Sequence, residues 1–153
     1  MIIENLKIQY IAEASKMLKE LFDEFAAPDY SQDGIAHFYK IITSQSIQER
    51  LYSGNIIYIA KIDDKIAGYI EIKDLSHIYL LFVKKEFHKK GIAKKLLDFS
   101  INFLKRANPK MNAITVNSTP YGVKIYERLG FSKIAEMQLK NGILSYPMRL
   151  TIK

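Results

Sequence analysis

The sequence predicts an α/β chain of the mixed α+β kind: one central, mostly antiparallel sheet of about six or seven strands flanked by about four helices. Three observations carry this expectation. Apolar residues recur at three- and four-residue steps before residue 53 and again between residues 91 and 107. Between residues 55 and 83 the pattern changes to β-branched and aromatic runs separated by turn residues. After residue 130, two more such runs are joined by Asn141-Gly142, the residue pair of a tight hairpin.

Residues 2–9 read as a short strand. Over residues 11–25, Ile11, Ala14, Leu18, Leu21, Phe22 and Phe25 make one helical face, and the helix stops before Pro28. Ser31 or Asp33 can cap a second helix carrying Ile35, Phe38, Tyr39 and Ile42. A further helical turn or two over residues 46–52 ends at Ser53-Gly54. Three consecutive antiparallel strands follow at 55–61, 65–73 and 77–83, the first two joined at Asp63-Asp64. The third is apolar almost throughout, which places it centrally. After Gly91 a helix buries Ala93, Leu96, Leu97, Ser100, Ile101 and Leu104 and exposes Lys94, Lys95, Asp98, Asn102, Lys105 and Arg106. Asn108-Pro109 ends it. The short strand at 113–116 must run parallel to the one at 77–83, because a helix crosses between them. Pro120 opens a helix reaching Arg128, and Gly130 supplies its left-handed stop. Strands at 131–139 and 143–151 complete the sheet. No repeat or linker interrupts the chain, so residues 1–153 are expected to form one domain.

With 48% hydrophobic and 25% charged residues, the chain can build a core without a metal or disulfide staple. It has no cysteine, which excludes disulfides, cysteine catalysis and thiolate metal sites, and suits a reducing cytoplasm. No apolar run reaches the length of about 18 residues that a membrane helix needs, and no signal-peptide pattern opens the chain. A cytoplasmic location without a membrane partner is expected. The net charge of +7 is unevenly spread. Residues 1–75 carry 8 Lys or Arg against 12 Asp or Glu, whereas residues 76–153 carry 15 against 4. Two subsites of opposite sign fit this split better than a nucleic-acid surface.

The densest signal is His77 to Leu97, HIYLLFVKKEFHKKGIAKKLL. It reads as a strand, a lysine-rich turn and a helix that opens on the small residues Gly91 and Ala93. Such a helix leaves its first N–H groups approachable, and its dipole favours an anion there. Lys84, Lys85, Lys89, Lys90, Lys94 and Lys95 surround the point. The ligand indicated is a polyanion held largely by backbone.

Val83 to Ala93, VKKEFHKKGIA, resembles the acetyl-coenzyme-A motif of the GNAT superfamily of N-acyltransferases, roughly Gln/Arg-x-x-Gly-x-Gly/Ala after an apolar strand. Ser118 to Phe131, STPYGVKIYERLGF, is similar to a second signature of that family, SPYAVxxYEKLGF. Both lie in the family's order, and the predicted elements match the family's from end to end. Four positions depart from the pattern. His88 stands where Gln or Arg is usual, Lys89 replaces a frequent glycine, Thr119 a frequent Asn, and Gly122 a frequent Ala.

The resemblance implies a GNAT-like fold with a splayed parallel strand pair at the cofactor cleft. It also implies acetyl-coenzyme A as co-substrate, an amine acceptor and no metal. Carried over by motif, the cofactor contacts are Leu81, Phe82, Val83, His88, Lys89, Lys90, Gly91, Ile92, Ala93, Asn117, Thr119 and Tyr126. Those of the turn act mainly through backbone N–H groups. The Leu81 N–H is expected to serve as oxyanion donor. Tyr126 is the expected acid at the departing sulfur, since a phenol of pKa ~10 stays protonated at neutral pH. His77 is the expected base: it begins the strand that runs into the cofactor turn, and by alternation shares a face with Tyr79, Leu81 and Val83. Glu71 is the rival base, although its alternation with Ile70 and Ile72 predicts an exposed residue. His37 borders the acceptor side, with a surface or core role as the default.

The acceptor wall is expected from the first helices. There Glu20, Asp23, Glu24, Asp29 and Asp33 sit among Phe22, Phe25, Tyr30, Phe38 and Tyr39, a mixture that predicts a cationic amine with some apolar body. With no cysteine to carry an acyl group, transfer should be direct. The expected function is N-acetyl transfer from acetyl-coenzyme A to a small primary amine. The alternatives are a protein or peptide N-acetyltransferase and a non-catalytic coenzyme-A-binding module. The final hairpin also offers an edge through which two copies could form a homodimer.

Overall fold

A computed structural model describes residues 1–153. The chain starts with β1 (Ile2–Asn5) and α1 (Ile11–Leu21). A π-helical turn (Phe22–Ala26) and a 3-10 turn (Ala27–Asp29) lead to α2 (Gln32–Ile41) and α3 (Ser44–Tyr52). Ser31 caps α2, its hydroxyl accepting from the Gly34 N–H at 3.1 Å. The strands β2 (Ile56–Ile62), β3 (Lys65–Lys73) and β4 (His77–Val83) form the predicted antiparallel run. Then come α4 (Ile92–Ala107), β5 (Ala113–Ser118), α5 (Val123–Arg128), β6 (Ser132–Lys133), β7 (Gln138–Lys140) and β8 (Ile143–Thr151).

The sheet order is β1-β2-β3-β4-β5-β8-β6, with β7 paired to β8. Every pairing is antiparallel except β4 with β5. That is the mixed sheet the sequence predicts. One face packs on α1, α2 and α3 through Leu18, Phe22, Phe38 and Ile47. The other packs on α4 and α5 through Leu96, Leu97, Leu104 and Tyr126. No helix is long and apolar enough to cross a membrane.

Four details differ from the sequence-based expectation. The strand expected over 131–139 is two strands, which brings the total to eight. The break lies opposite Pro147, whose carbonyl accepts from the Ile134 N–H at 2.9 Å but which has no N–H to return on that side. The helix expected from Pro120 starts as a turn and becomes α-helical at Val123. Thr119 holds that turn, its hydroxyl and its carbonyl both accepting from the Gly122 N–H at 3.0 Å. Glu71, expected exposed, is fully buried. The reason is that β3 lies inside the sheet with helices over both faces, so alternation leaves it no solvent side. Its carboxylate is satisfied by Arg50 Nε at 2.6 Å, Asn55 Nδ2 at 2.7 Å and the Tyr69 hydroxyl at 2.6 Å.

The fourth difference bears on the site. Glu71 pairs with Leu80 and Ile72 with Ile78, so Tyr79 is an extra residue in β4. This bulge breaks the alternation. Ile78, Leu81 and Val83 pack in the α4 layer, whereas Tyr79, Leu80 and Phe82 pack in the α1–α2 layer. The expectation that His77, Tyr79, Leu81 and Val83 share one face is therefore corrected.

Candidate active site

The parallel ladder of β4 and β5 spans only two register pairs, His77 with Thr115 and Ile78 with Val116. Beyond them the strands part, and a cleft of about 500 Å³ opens between Leu80–Val83 and Val116–Thr119. The side chains of His77 and Thr115 meet at the closed end, with Nδ1 and Oγ1 2.7 Å apart.

One half of the cleft is bounded by the turn before α4. Lys89 (φ 61°) and Gly91 (φ 80°) both take left-handed backbone, which turns the chain back onto α4. No side chain caps α4. A Cβ placed on Gly91 would meet nothing within 4 Å, so the turn opens onto free space. Uncapped N–H groups at the positive end of a 16-residue helix, facing an open cleft, suit the phosphates of a coenzyme. His88 closes the turn, its Nε2 lying 2.7 Å from the Val83 carbonyl. Because a carbonyl only accepts, Nε2 carries the proton.

Across the cleft, β5 and α5 supply Asn117, Ser118, Thr119, Tyr121 and Tyr126. Tyr126 is buried, its ring 5.3 Å edge-to-face from Phe131. Burial pushes its phenol above the ordinary value of 10. Gly122 permits the close approach of α5 to β5: a Cβ there would stand 2.8 Å from Ser118 Oγ and 3.4 Å from the Tyr126 ring.

The second half is walled by the end of α1, the π-helical turn and α2. Leu21, Phe25, Tyr30, His37, Phe38 and Ile41 line it. Phe25 spans the two halves, its ring 5.2 Å from both His88 and Tyr121. Burial, then the nearby Asp29, pushes the Tyr30 phenol up to about 12, so it stays neutral. The β7–β8 hairpin seals this half. Its Asn141 (φ 52°) and Gly142 (φ 75°) form the expected primed turn. The Gly142 carbonyl accepts from the Ser31 N–H at 3.3 Å and the Ser31 hydroxyl at 3.2 Å, and Ile143 faces the cleft.

Most residues singled out from the sequence come together here. Leu81, Phe82, Val83, His88, Lys89, Gly91, Ile92, Ala93, Asn117, Thr119 and Tyr126 all line the cleft. Lys90 does not, and its ammonium lies 5.7 Å over the Phe87 ring. His77 does not either: it is held at the strand seam. Its pKa is lowered below 6.5 by burial and then by Lys73. Glu71 is enclosed by its donors, away from the lining. The acidic residues expected at the acceptor wall are also absent from it. Asp23 accepts from Lys19 and Tyr39, and Glu24 pairs with Lys85 at 3.0 Å. The helical turn that buries Phe22 and points Phe25 into the cleft leaves these carboxylates outward. Sequence reasoning missed Ser118, Tyr121, Phe87 and Arg128 as lining residues, and took His37 for an ordinary surface or core residue. The second signature contains three of them, so its whole length was the available signal.

A family model described as an acetyltransferase (GNAT) domain matches residues 26–152. Solved structures share the fold at low sequence identity. A GCN5-related N-acetyltransferase from Rhodopseudomonas palustris superposes with a TM-score of 0.84 at 16% identity, over 99% of this chain and 95% of that one. The PaiA N-acetyltransferase from Thermoplasma acidophilum, solved with coenzyme A, gives 0.77 at 20% identity over 99% of both chains. The aminoglycoside 6'-N-acetyltransferase from Enterococcus faecium gives 0.73 at 15% identity, over 100% of this chain and 98% of that one.

Proposed function

The chain belongs to the GNAT family of acetyltransferases, and we propose that it transfers an acetyl group from acetyl-coenzyme A directly to the primary amine of a small molecule. The observation that carries this reading is the uncapped N-terminus of α4 opening into a cleft that Tyr126 also lines. The backbone of Lys89 to Ala93 would hold the pyrophosphate, with Lys94 and Arg128 adding attraction from the rim. Asn117 and Thr119 would flank the coenzyme's arm from β5. Bound there, acetyl-coenzyme A supplies an activated acetyl thioester.

The amine nitrogen bonds to the acetyl carbon, the carbon–sulfur bond breaks, and the amine loses one proton while the sulfur gains one. The Leu81 N–H is the proposed donor to the carbonyl oxygen as charge builds on it. The Tyr126 phenol, protonated at neutral pH, donates to the sulfur. His77 is assigned a positioning role, since its bond to Thr115 fixes the point from which β4 and β5 diverge. Water at the open face, with His37 on the same wall, receives the amine proton.

A small acceptor is favoured over a peptide because the hairpin tip seated on Ser31 closes the far side of the acceptor half. The test is a thiol-release assay with acetyl-coenzyme A and a panel of amines, amino acids and lysine peptides. Turnover with small amines and none with peptides is the expected outcome. Coenzyme A binding without turnover of any amine would instead make the chain a non-catalytic binding module.

A further inference from the structure

We infer that the acceptor is a monoamine with an aromatic or branched aliphatic body, not a polycation, and that Phe25, Tyr30 and Phe38 select it. This rests on the acetyltransferase reading. None of the nearby carboxylates, Asp29 beside Tyr30 included, lines the cleft, and several are bound elsewhere. Asp23 is bound by Lys19 and Tyr39, Glu24 by Lys85, and Glu71 by Arg50, Asn55 and Tyr69. Glu13 accepts from the Ile66 N–H at 2.6 Å. No Asp or Glu lines the cleft, while Lys89, Lys94 and Arg128 do.

The consequence follows from desolvation. An ammonium entering an apolar wall without a counter-ion loses water that nothing replaces, so it tends to give up its proton. For the amine that is acetylated this is productive, because only the neutral form attacks. A second ammonium on the same molecule has no such exit and would sit among aromatic rings with no carboxylate to pair with. An aromatic body instead fits what is present. Phe22 stacks on Phe38 at 3.9 Å and meets Tyr30 edge-on at 4.9 Å, so the wall is a fixed aromatic surface with Phe25 standing across its mouth.

The test compares 2-phenylethylamine and isoamylamine with spermidine and kanamycin in the thiol-release assay, with coenzyme A binding followed in parallel by calorimetry. The expected kcat/KM is at least about 10-fold higher for the two monoamines. The exposed His37→Glu places a carboxylate on the wall and should shift the ratio toward spermidine by about 10-fold. The half-buried Phe25→Ala should lower kcat/KM for 2-phenylethylamine more than for spermidine. Equal or better turnover of the polycations, with coenzyme A bound, would overturn this inference and leave acetyl transfer standing. Binding of coenzyme A with no turnover of either monoamine would overturn it as well. Absence of coenzyme A binding would overturn the acetyltransferase reading and this inference with it.

Discussion

Tyr126 is packed so that only its hydroxyl end is free to act. Phe131 meets its ring edge-on, and Gly122 leaves no room for a side chain beside it. With its pKa raised by burial, the phenol stays protonated throughout the neutral range. Tyr126→Phe keeps the packing and removes the proposed proton donor, so kcat should fall by about 10²-fold or more while coenzyme A binding is unchanged. Single-turnover kinetics with calorimetry checks both. His77 gives a second test at this scale. Unfolded, it titrates near 6.5, and folded it titrates lower, because burial and then Lys73 disfavour its charge. Between those values the unfolded chain binds more protons. Its contribution to stability is thus complete above 6.5 and is lost as pH falls through the folded value. His77→Asn should flatten the decline in melting temperature as pH falls below 6.5. A slope unchanged by the substitution would assign the decline to other groups.

Among the elements, α4 and the antiparallel strands were legible because their periods, 3.6 and 2, are written in side chains that stay in register. The β4 bulge was not. It adds one residue at Tyr79 without any glycine or proline to mark it, and every alternation counted across it is inverted. The burial of Glu71 was hidden for a related reason: a carboxylate between isoleucines reads as a solvent position unless Arg50, 21 residues away, is known to reach it. Arg50 also donates to the Ile41 carbonyl at 2.6 Å and lies 4.9 Å from the Tyr79 ring, so it ties the end of α2 to β3 and the bulge. Arg50→Met should cost about 3–5 kcal/mol by leaving Glu71 buried and unpaired, and Arg50→Met with Glu71→Leu should recover part of it. Urea unfolding measures this. The left-handed turn before α4 was legible through Gly91. Because its φ of 80° lies in the left-handed region while the space around it is free, Gly91→Ala is a test of backbone and not of sterics. It should strain the turn by about 1–2 kcal/mol and weaken coenzyme A correspondingly.

For the molecule as a whole, the acidic and basic halves of the sequence do not become two facing subsites. Lys89, Lys94 and Arg128 of the basic half line the cleft, but in the acidic half Asp23 and Glu24 turn to outer ion pairs and Glu71 to Arg50. What unites the two ends of the chain is the contact of the β7–β8 tip with the start of α2. A Cβ on Gly34 would lie 2.5 Å from the Gly142 carbonyl oxygen. Gly34→Ala should therefore push the tip outward, raising KM for the acceptor several-fold with little change in coenzyme A affinity. Faster hydrogen exchange over residues 138–146 would report the displacement. Ser31 and Gly142 are 111 residues apart. A ribosome makes the turn before α4, and then Tyr126, ahead of the hairpin tip that meets Ser31. During synthesis, the clasp over the proposed acceptor half is thus made late, and a chain released before Gly142 would keep the turn before α4 and Tyr126 yet lack the contact with Ser31 that closes the far side of the cleft.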